Sequence, residues 1–292
     1  MFLIRFITFL LKKMPRKILY LMGDIIGLLV YYIHLPRRRV AETNLKIVLK
    51  DKYNKKILKE NYRNIFRNFM EIFFIEKVND EFIKKYVKYE NLDDITKIKN
   101  DKKPTLLLTG HIGSWELLPI FYTKFFNHKV AIIGKEMRNK KIDIIIKELR
   151  SNSDISFISH GNVMRIIHRY LNKGIPVGAL LDQGGLEDQS IFIDFFGLKT
   201  TFVHPLLAYA VRKEIKIIMV FLIRENEKYR FINYPPIYPN NSLDYDNAVI
   251  DLAKKINEVY EDIIIKYPTQ WFTLNKRFKR VKNDEGEICS IY

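Results

Sequence analysis

A single cysteine, Cys289, stands near the C-terminus of the 292 residues. No disulfide framework and no CxxC metal site can be built from it, so its one message is that oxidative cross-links are not needed. Glycine and proline are sparse, at 12 and 10. No repeat or low-complexity tract interrupts the chain, which speaks against domains joined by a flexible linker. Acidic residues are also in short supply: 33 Asp and Glu face 50 Lys and Arg, a net charge of +17, in a chain that is 48% hydrophobic and 13% aromatic. Such a field draws an anionic partner, and nucleic acid, an anionic membrane surface and an acidic carrier protein all qualify. No aromatic-basic motif of the nucleic-acid-binding folds accompanies the charge.

Long hydrophobic runs are nearly absent too. The longest, Ile18 to Leu35, is 18 residues, about the minimum for a spanning helix, and Asp24 lies in its middle. A central acid costs about 2.5–3.5 kcal/mol on insertion scales, which weighs against a simple span. No small-residue cleavage site follows, which argues against a removed signal peptide. Arg16 and Lys17 flank one end and Arg37, Arg38 and Arg39 the other, and the first 50 residues hold ten basic residues against two acids. This pattern suits an anchor on an anionic cytoplasmic leaflet, as an interfacial helix, a re-entrant segment or one span; a buried core helix gives the same pattern.

The body alternates. Apolar positions from Ile57 to Phe73 recur at three and four, the face of a long helix over 54–77. Short apolar runs at 105–108, 130–133, 155–158, 176–181 and 215–222 read as strands. Helical patterns at 114–126, 140–152, 162–172 and 202–213 separate them, and a closing helix covers 243–266. Repeated alternation predicts an α/β fold with a mostly parallel sheet flanked by helices. The charged C-terminal stretch reads as frayed.

Within this scheme the stretch TGHIGSWELLP, Thr109 to Pro119, holds the candidate chemistry. His111 follows a strand at its carboxyl end, where ligands gather in open α/β sheets. On one continuous helix, side chains five residues apart diverge by about 140°. Gly110 and Gly113 allow a sharp turn, after which Ser114 can cap a helix whose first turn carries Glu116. Glu116 then reaches back to one ring nitrogen of His111 and the other faces the cleft as a general base. Pro119 points to a kink or a later helix start. A plain polar pair in a loop is the alternative that spacing alone leaves open, and no metal-ligand set is evident.

The His-x4-Glu spacing resembles the block of glycerolipid acyltransferases. RRRVAETNLKIVL (37–49), LLDQGG (180–185), DFFGLKT (194–200) and YPTQWFTLNKRFK (267–279) sharpen the match. Together they resemble the bacterial lipid A late acyltransferases of the lauroyl and myristoyl type, over most of the chain from Arg37 to Lys279. The resemblance implies transfer of a fatty acyl chain from acyl carrier protein to a hydroxyl of a lipid A precursor, without cofactor, covalent acyl-enzyme or nucleic acid, at the cytoplasmic face of the inner membrane. A related acyltransferase acting on another glycolipid or a lysophospholipid is the alternative, and a non-catalytic basic protein that binds a membrane surface or nucleic acid is a further one. It makes His111 the base and Glu116 its orienting acid, and places Arg150 near the site, on the oxyanion or on a lipid phosphate. Asp182 and Gln183, at the end of a strand on the same rim, contact the acceptor or close a turn. Phe195, Phe196, Gly197, Gln270 and Trp271 read as packing and turn residues, with a wall of the acyl groove as the alternative for the first three. The family's glycine after the arginine is missing from RSNSDIS (150–156). Residues 1–36 are expected to form the membrane anchor, 37–282 the acyltransferase domain and 283–292 a tail.

Overall fold

The computed structural model describes residues 2–89, 103–134, 136, 139–150, 154–159 and 162–292. Five strands run parallel in the spatial order β4 (Ile155–Ile158), β3 (Val130–Ile133), β5 (Val177–Leu180), β2 (Thr105–Thr109) and β8 (Lys216–Glu225). Beyond β8 the sheet continues with β9 (Lys228–Asn233), antiparallel to it, and β1 (Val87–Tyr89), parallel to β9. All five predicted strands are present, and helices cover the sheet as expected. The hairpin to β9 escaped the sequence reading because Glu225, Asn226 and Glu227 interrupt the apolar pattern with a polar turn, in which Asn226 adopts φ of +54°.

Central strand β8 is buried on both sides. Ile217, Met219, Phe221 and Ile223 face one hydrophobic cluster, and Ile218, Val220 and Leu222 face the other, the two-residue period of a strand between two helical layers. On the first face lie α8 (Val163–Asn172), α9 (Pro205–Lys213) and α10 (Tyr245–Lys266). Asp244 caps α10 by accepting from the backbone of Asn247, and Leu252, Ile256, Tyr260 and Ile263 form its buried stripe. The second face receives α5 (Asp80–Tyr86), α6 (Leu118–Phe126) and α7 (Lys140–Arg150). Residues 151–153, where the family's glycine is missing, lie outside the described residues.

The predicted helix over 54–77 divides into α4 (Lys55–Glu71) and a 3-10 turn from Ile72 to Lys77. Before it come α1 (Phe2–Lys13), α2 (Arg16–Ile33) and α3 (Leu35–Leu49). Helix α2 lies directly on α4: a Cβ at Gly23 would stand 2.8 Å from the backbone nitrogen of Arg67, and one at Gly27 2.8 Å from the carbonyl of Tyr62. Asp24, the acid that argued against a span, accepts from Nη2 of Arg67 at 2.7 Å. No single described helix is long and apolar enough to cross a membrane, although α2 and the segment Leu35–Lys52 pass that test together, bent by 100°.

A second, antiparallel sheet has the order β11 (Ile288–Cys289), β10 (Val281–Lys282), β7 (Leu198–Val203) and β6 (Ser190–Phe195). Phe195 is fully buried, and Phe196 and Gly197 form the β6–β7 turn with φ of +53° and +79°. The C-terminal stretch therefore does not fray. It folds back as β10 and β11, and the Tyr292 hydroxyl bonds Asn44 and the backbone of Phe278.

Candidate active site

The loop after β2 is held from three sides. The Gly113 N–H donates to the Gln270 carbonyl at 3.0 Å, the Ser114 N–H to Leu222 at 2.7 Å, and the Phe272 N–H to the His111 carbonyl at 2.8 Å. Gly113 has φ of +65°, and a Cβ there would fall 2.3 Å from the Leu222 oxygen, so no other residue fits. Ser114 does not cap the following helix. Its hydroxyl donates to Oε1 of Glu71 at 3.0 Å, drawn into a buried cluster, and α6 starts later, at Leu118, with Pro119 in its first turn.

Glu71 and Arg224 form the centre of that cluster. Oε1 of Glu71 accepts from Nε of Arg224 at 3.0 Å, from the Tyr20 hydroxyl at 2.5 Å and from the Tyr229 hydroxyl at 3.1 Å. Nη1 of Arg224 donates to Asn64 at 3.0 Å. Gln270 exchanges two bonds with the Arg224 backbone, at 3.0 and 2.9 Å. The glutamine expected to pack thus fastens the segment 270–272 to β8, and that segment holds the histidine loop.

His111 meets Asp182. Nδ1 of the ring lies 2.8 Å from Oδ1 of the carboxylate, which also accepts the His111 backbone N–H at 3.0 Å. The other oxygen, Oδ2, accepts from Nε1 of Trp271 at 3.1 Å and from Nε2 of Gln183 at 2.8 Å. Trp271 is thus more than packing: it is fully buried and helps fix the acid. Asp182 itself is buried, which alone would raise its pKa. The facing imidazole and the hydrogen bonds outweigh this and hold it below the usual carboxylate range. Burial likewise opposes charge on His111, but Asp182, its hydrogen bond and, more weakly, Glu116 raise the ring's pKa above the ordinary histidine value.

The expected partner of the ring was Glu116. That carboxylate instead accepts two bonds from Arg150, from Nε at 2.9 Å and Nη2 at 2.6 Å. A guanidinium fork matches a carboxylate in this bidentate way, so Arg150 claims both oxygens of Glu116. All five candidate residues therefore sit on one rim, as two pairs plus Gln183: His111 with Asp182, and Glu116 with Arg150. The sequence carried a usable signal for the first pair, since histidine and aspartate each follow closely on a predicted strand.

Behind this rim lies a cavity of about 940 Å³, lined by His111, Glu116 and Arg150 at its polar end. Its remaining wall is largely apolar and includes Ile132, Ile133, Phe157, Met164 and Ile167. The topology opens it: β2 and β5 stay paired as far as Thr109 and Leu180, whereas β3 and β5 pair only at Ala131–Val177 and Ile132–Gly178. Residues past that last pair, Ile133 and Gly134 on one side and Ala179 and Leu180 on the other, line the space. Its size suits one long apolar ligand of the kind small-molecule pockets take. An oriented imidazole at the mouth can move a proton on a group that such a ligand presents. Among the described residues no group of three or more His, Cys, Asp or Glu is placed to hold a metal ion.

Compared with known proteins, the chain finds no match among curated sequences. The family model for bacterial lipid A biosynthesis acyltransferases matches residues 1–280. That match covers the N-terminal helices, the histidine loop, the aspartate rim and the Gln270–Trp271 segment alike, and the chain belongs to this family, as an acyltransferase of lipid A biosynthesis.

Proposed function

We propose that the protein transfers a fatty acyl chain from acyl carrier protein to a hydroxyl of a lipid A precursor, with His111 as general base. The observation that carries this reading is the His111–Asp182 pair at the mouth of the apolar 940 Å³ cavity. The acyl chain occupies the cavity and its thioester carbonyl lies at the rim. With Nδ1 held by Asp182, Nε2 is the nitrogen that meets the acceptor hydroxyl. As the hydroxyl oxygen attacks the carbonyl carbon, Nε2 takes its proton. The oxyanion collapses, the carbon–sulfur bond breaks, and the imidazolium returns the proton to the leaving thiolate. No nucleophilic side chain and no acyl-enzyme enters this sequence. Asp182 orients the ring and stabilises its charged form, and the Glu116 carboxylate holds Arg150, whose cation supports the developing oxyanion.

The exposed side of α2 supports a membrane-bound mode of action. Ile18, Leu21, Ile25, Leu29 and Tyr32 are exposed at helical spacing, opposite the buried Leu19, Gly23, Gly27 and Tyr31. In α1, Ile4, Phe6, Ile7, Phe9 and Leu10 are exposed as well, with the exposed Arg5 and Lys13 among them. An apolar face fringed by cations suits two helices lying in the cytoplasmic leaflet of the inner membrane, which carries the lipid acceptor.

The test is transfer itself. Purified protein, acyl carrier protein charged with radiolabelled acyl chain and a lipid A precursor should give a labelled lipid. His111→Ala should abolish the label. If neither that acceptor nor a mixed lipid extract is labelled by the wild type, the reading fails; label on another lipid would move the acceptor and leave the chemistry.

A further inference from the structure

The rim carries a second cavity that the acyl-transfer scheme does not use. It measures about 230 Å³, and Gln183, Thr201, Lys276, Arg277, Lys279 and Arg280 line it. Four of these are cations, and no lining residue is acidic. Its wall is built, not merely charged. Gly184 passes so close to the segment below that a Cβ there would stand 3.0 Å from the Arg277 carbonyl and 3.1 Å from Oγ1 of Thr201. Arg280 is fixed by Glu187 at 3.1 Å and by the carbonyl of Gly185 at 3.2 Å.

Arg277 is the telling residue. It is 1% exposed, and Nη1 donates to Thr200 Oγ1 and the Thr201 carbonyl at 3.3 and 3.1 Å, while Nε and Nη2 have no acceptor. The carboxylate that acts on it is Asp182, whose oxygens already serve His111, Trp271 and Gln183. A buried cation without an anion of its own is costly, and burial accordingly pushes Arg277 down to about 10. An anion in the adjoining cavity would offset that cost.

We infer that this cavity is a binding site for a phosphate ester, which fixes the substrate beside His111. The link to the reacting centre is Gln183, which lines the cavity and donates to the Asp182 carboxylate that holds His111. Phosphate chemistry fits because several cations converge on a space of this size, where planar guanidinium and flexible ammonium groups together surround a compact anion. The phosphate belongs either to the glycolipid acceptor or to the prosthetic arm of the carrier protein; assigning it to either substrate rests on the transfer reading above.

The test uses the full-length protein and the double variant Lys279→Gln/Arg280→Gln, which leaves buried Arg277 in place. Inorganic phosphate is the binding probe. Because phosphate also stabilises proteins by exclusion, the readout is the difference between the two proteins at matched ionic strength. The wild-type melting midpoint should rise more than that of the variant, and equal rises overturn the site. In transfer assays the variant should raise KM about tenfold, the loss of roughly 1.4 kcal/mol of binding, with kcat little changed. A rise for a phosphorylated acceptor but not its dephosphorylated form assigns the phosphate to the lipid; a rise for the acyl donor assigns it to the carrier. An unchanged KM for both substrates overturns the proposal, as does an equal effect from Glu187→Gln, which breaks the ion pair and keeps the cation. A phosphate difference without any transfer would retain the cavity's role and remove the transferase reading.

Discussion

His111 and Asp182 stand opposite each other because each lies two residues beyond a paired position, Thr109 and Leu180, on adjacent parallel strands. Register alone brings imidazole and carboxylate together, and the backbone N–H of His111 ties the carboxylate to the same loop at 3.0 Å. Burial opposes charge on the ring, and this placement makes Asp182 the main group that raises its pKa against that.

Replacing it should move the pH profile. The His111 pKa is raised in the folded protein, so the ring is charged, and useless as a base, up to a higher pH than usual. In Asp182→Asn the raising carboxylate is gone and burial is left to favour the neutral ring. The acid limb of kcat/KM should therefore shift to lower pH, while the plateau falls by roughly 10²–10⁴-fold because the ring loses its orienting acid. For stability the signs oppose: the raised His111 contributes below the ordinary histidine pKa and loses its contribution as pH rises through the folded value. The lowered Asp182 contributes above the ordinary carboxylate pKa and loses its contribution as pH falls through the folded value. An unchanged acid limb in this variant would remove Asp182 from its role.

Glu116→Gln separates the two carboxylates. Glu116 also raises the His111 pKa, but it acts at a distance and ranks behind Asp182. Its variant should shift the acid limb less than Asp182→Asn does, and should lower kcat by freeing Arg150 from its bidentate hold. A shift equal to or larger than that of Asp182→Asn would restore Glu116 as the orienting acid.

Much of this was legible in the sequence. The five parallel strands followed from short apolar runs, and the His111 loop from its glycines and its place behind one of them. The pairing was not, because a spacing of five within one segment reports local geometry, whereas Asp182 arrives from a strand 71 positions away by register. For the same reason the buried Glu71–Arg224 pair was invisible: Glu71 reads as one charge in a helix and Arg224 as the end of a strand, and only tertiary packing joins them over 153 positions. The small sheet and the ordered C-terminus likewise depend on pairing with β7, which no local pattern announces.

That buried pair should be a weak point. The Glu71 side chain is 0% exposed and Arg224 3%, so neither charge has water to fall back on. Glu71→Gln keeps the shape and leaves Arg224 unpaired, which should cost about 3–5 kcal/mol in chemical denaturation. Glu71→Met combined with Arg224→Met should cost less than the single change, because no buried charge remains. Since Ser114 bonds Glu71, any folded Glu71 variant should also lose transfer activity through the His111 loop. A single variant as stable as wild type would show that the charge of Glu71 is not needed to balance Arg224.

The apolar stripe on α2 makes the last prediction. Leu21, Ile25 and Leu29 are 59%, 51% and 53% exposed, so about half of each side chain is available to a bilayer. Full burial of such a side chain is worth about 1.5–3 kcal/mol, and half of it about 1 kcal/mol, so on the interfacial arrangement proposed above the three together would supply roughly 3 kcal/mol of membrane affinity. Changing all three to Gln should weaken sedimentation with anionic phospholipid vesicles by roughly 100-fold. The fold should survive, because Leu19, Gly23, Gly27 and Tyr31, the residues that pack α2 inward, are untouched. Residual binding should then depend more steeply on salt than that of the wild type, since basic residues such as Lys13 carry a larger share of it beside the exposed apolar residues of α1. If the triple variant sediments like wild type, α2 faces something other than lipid, and the interfacial arrangement has to be abandoned.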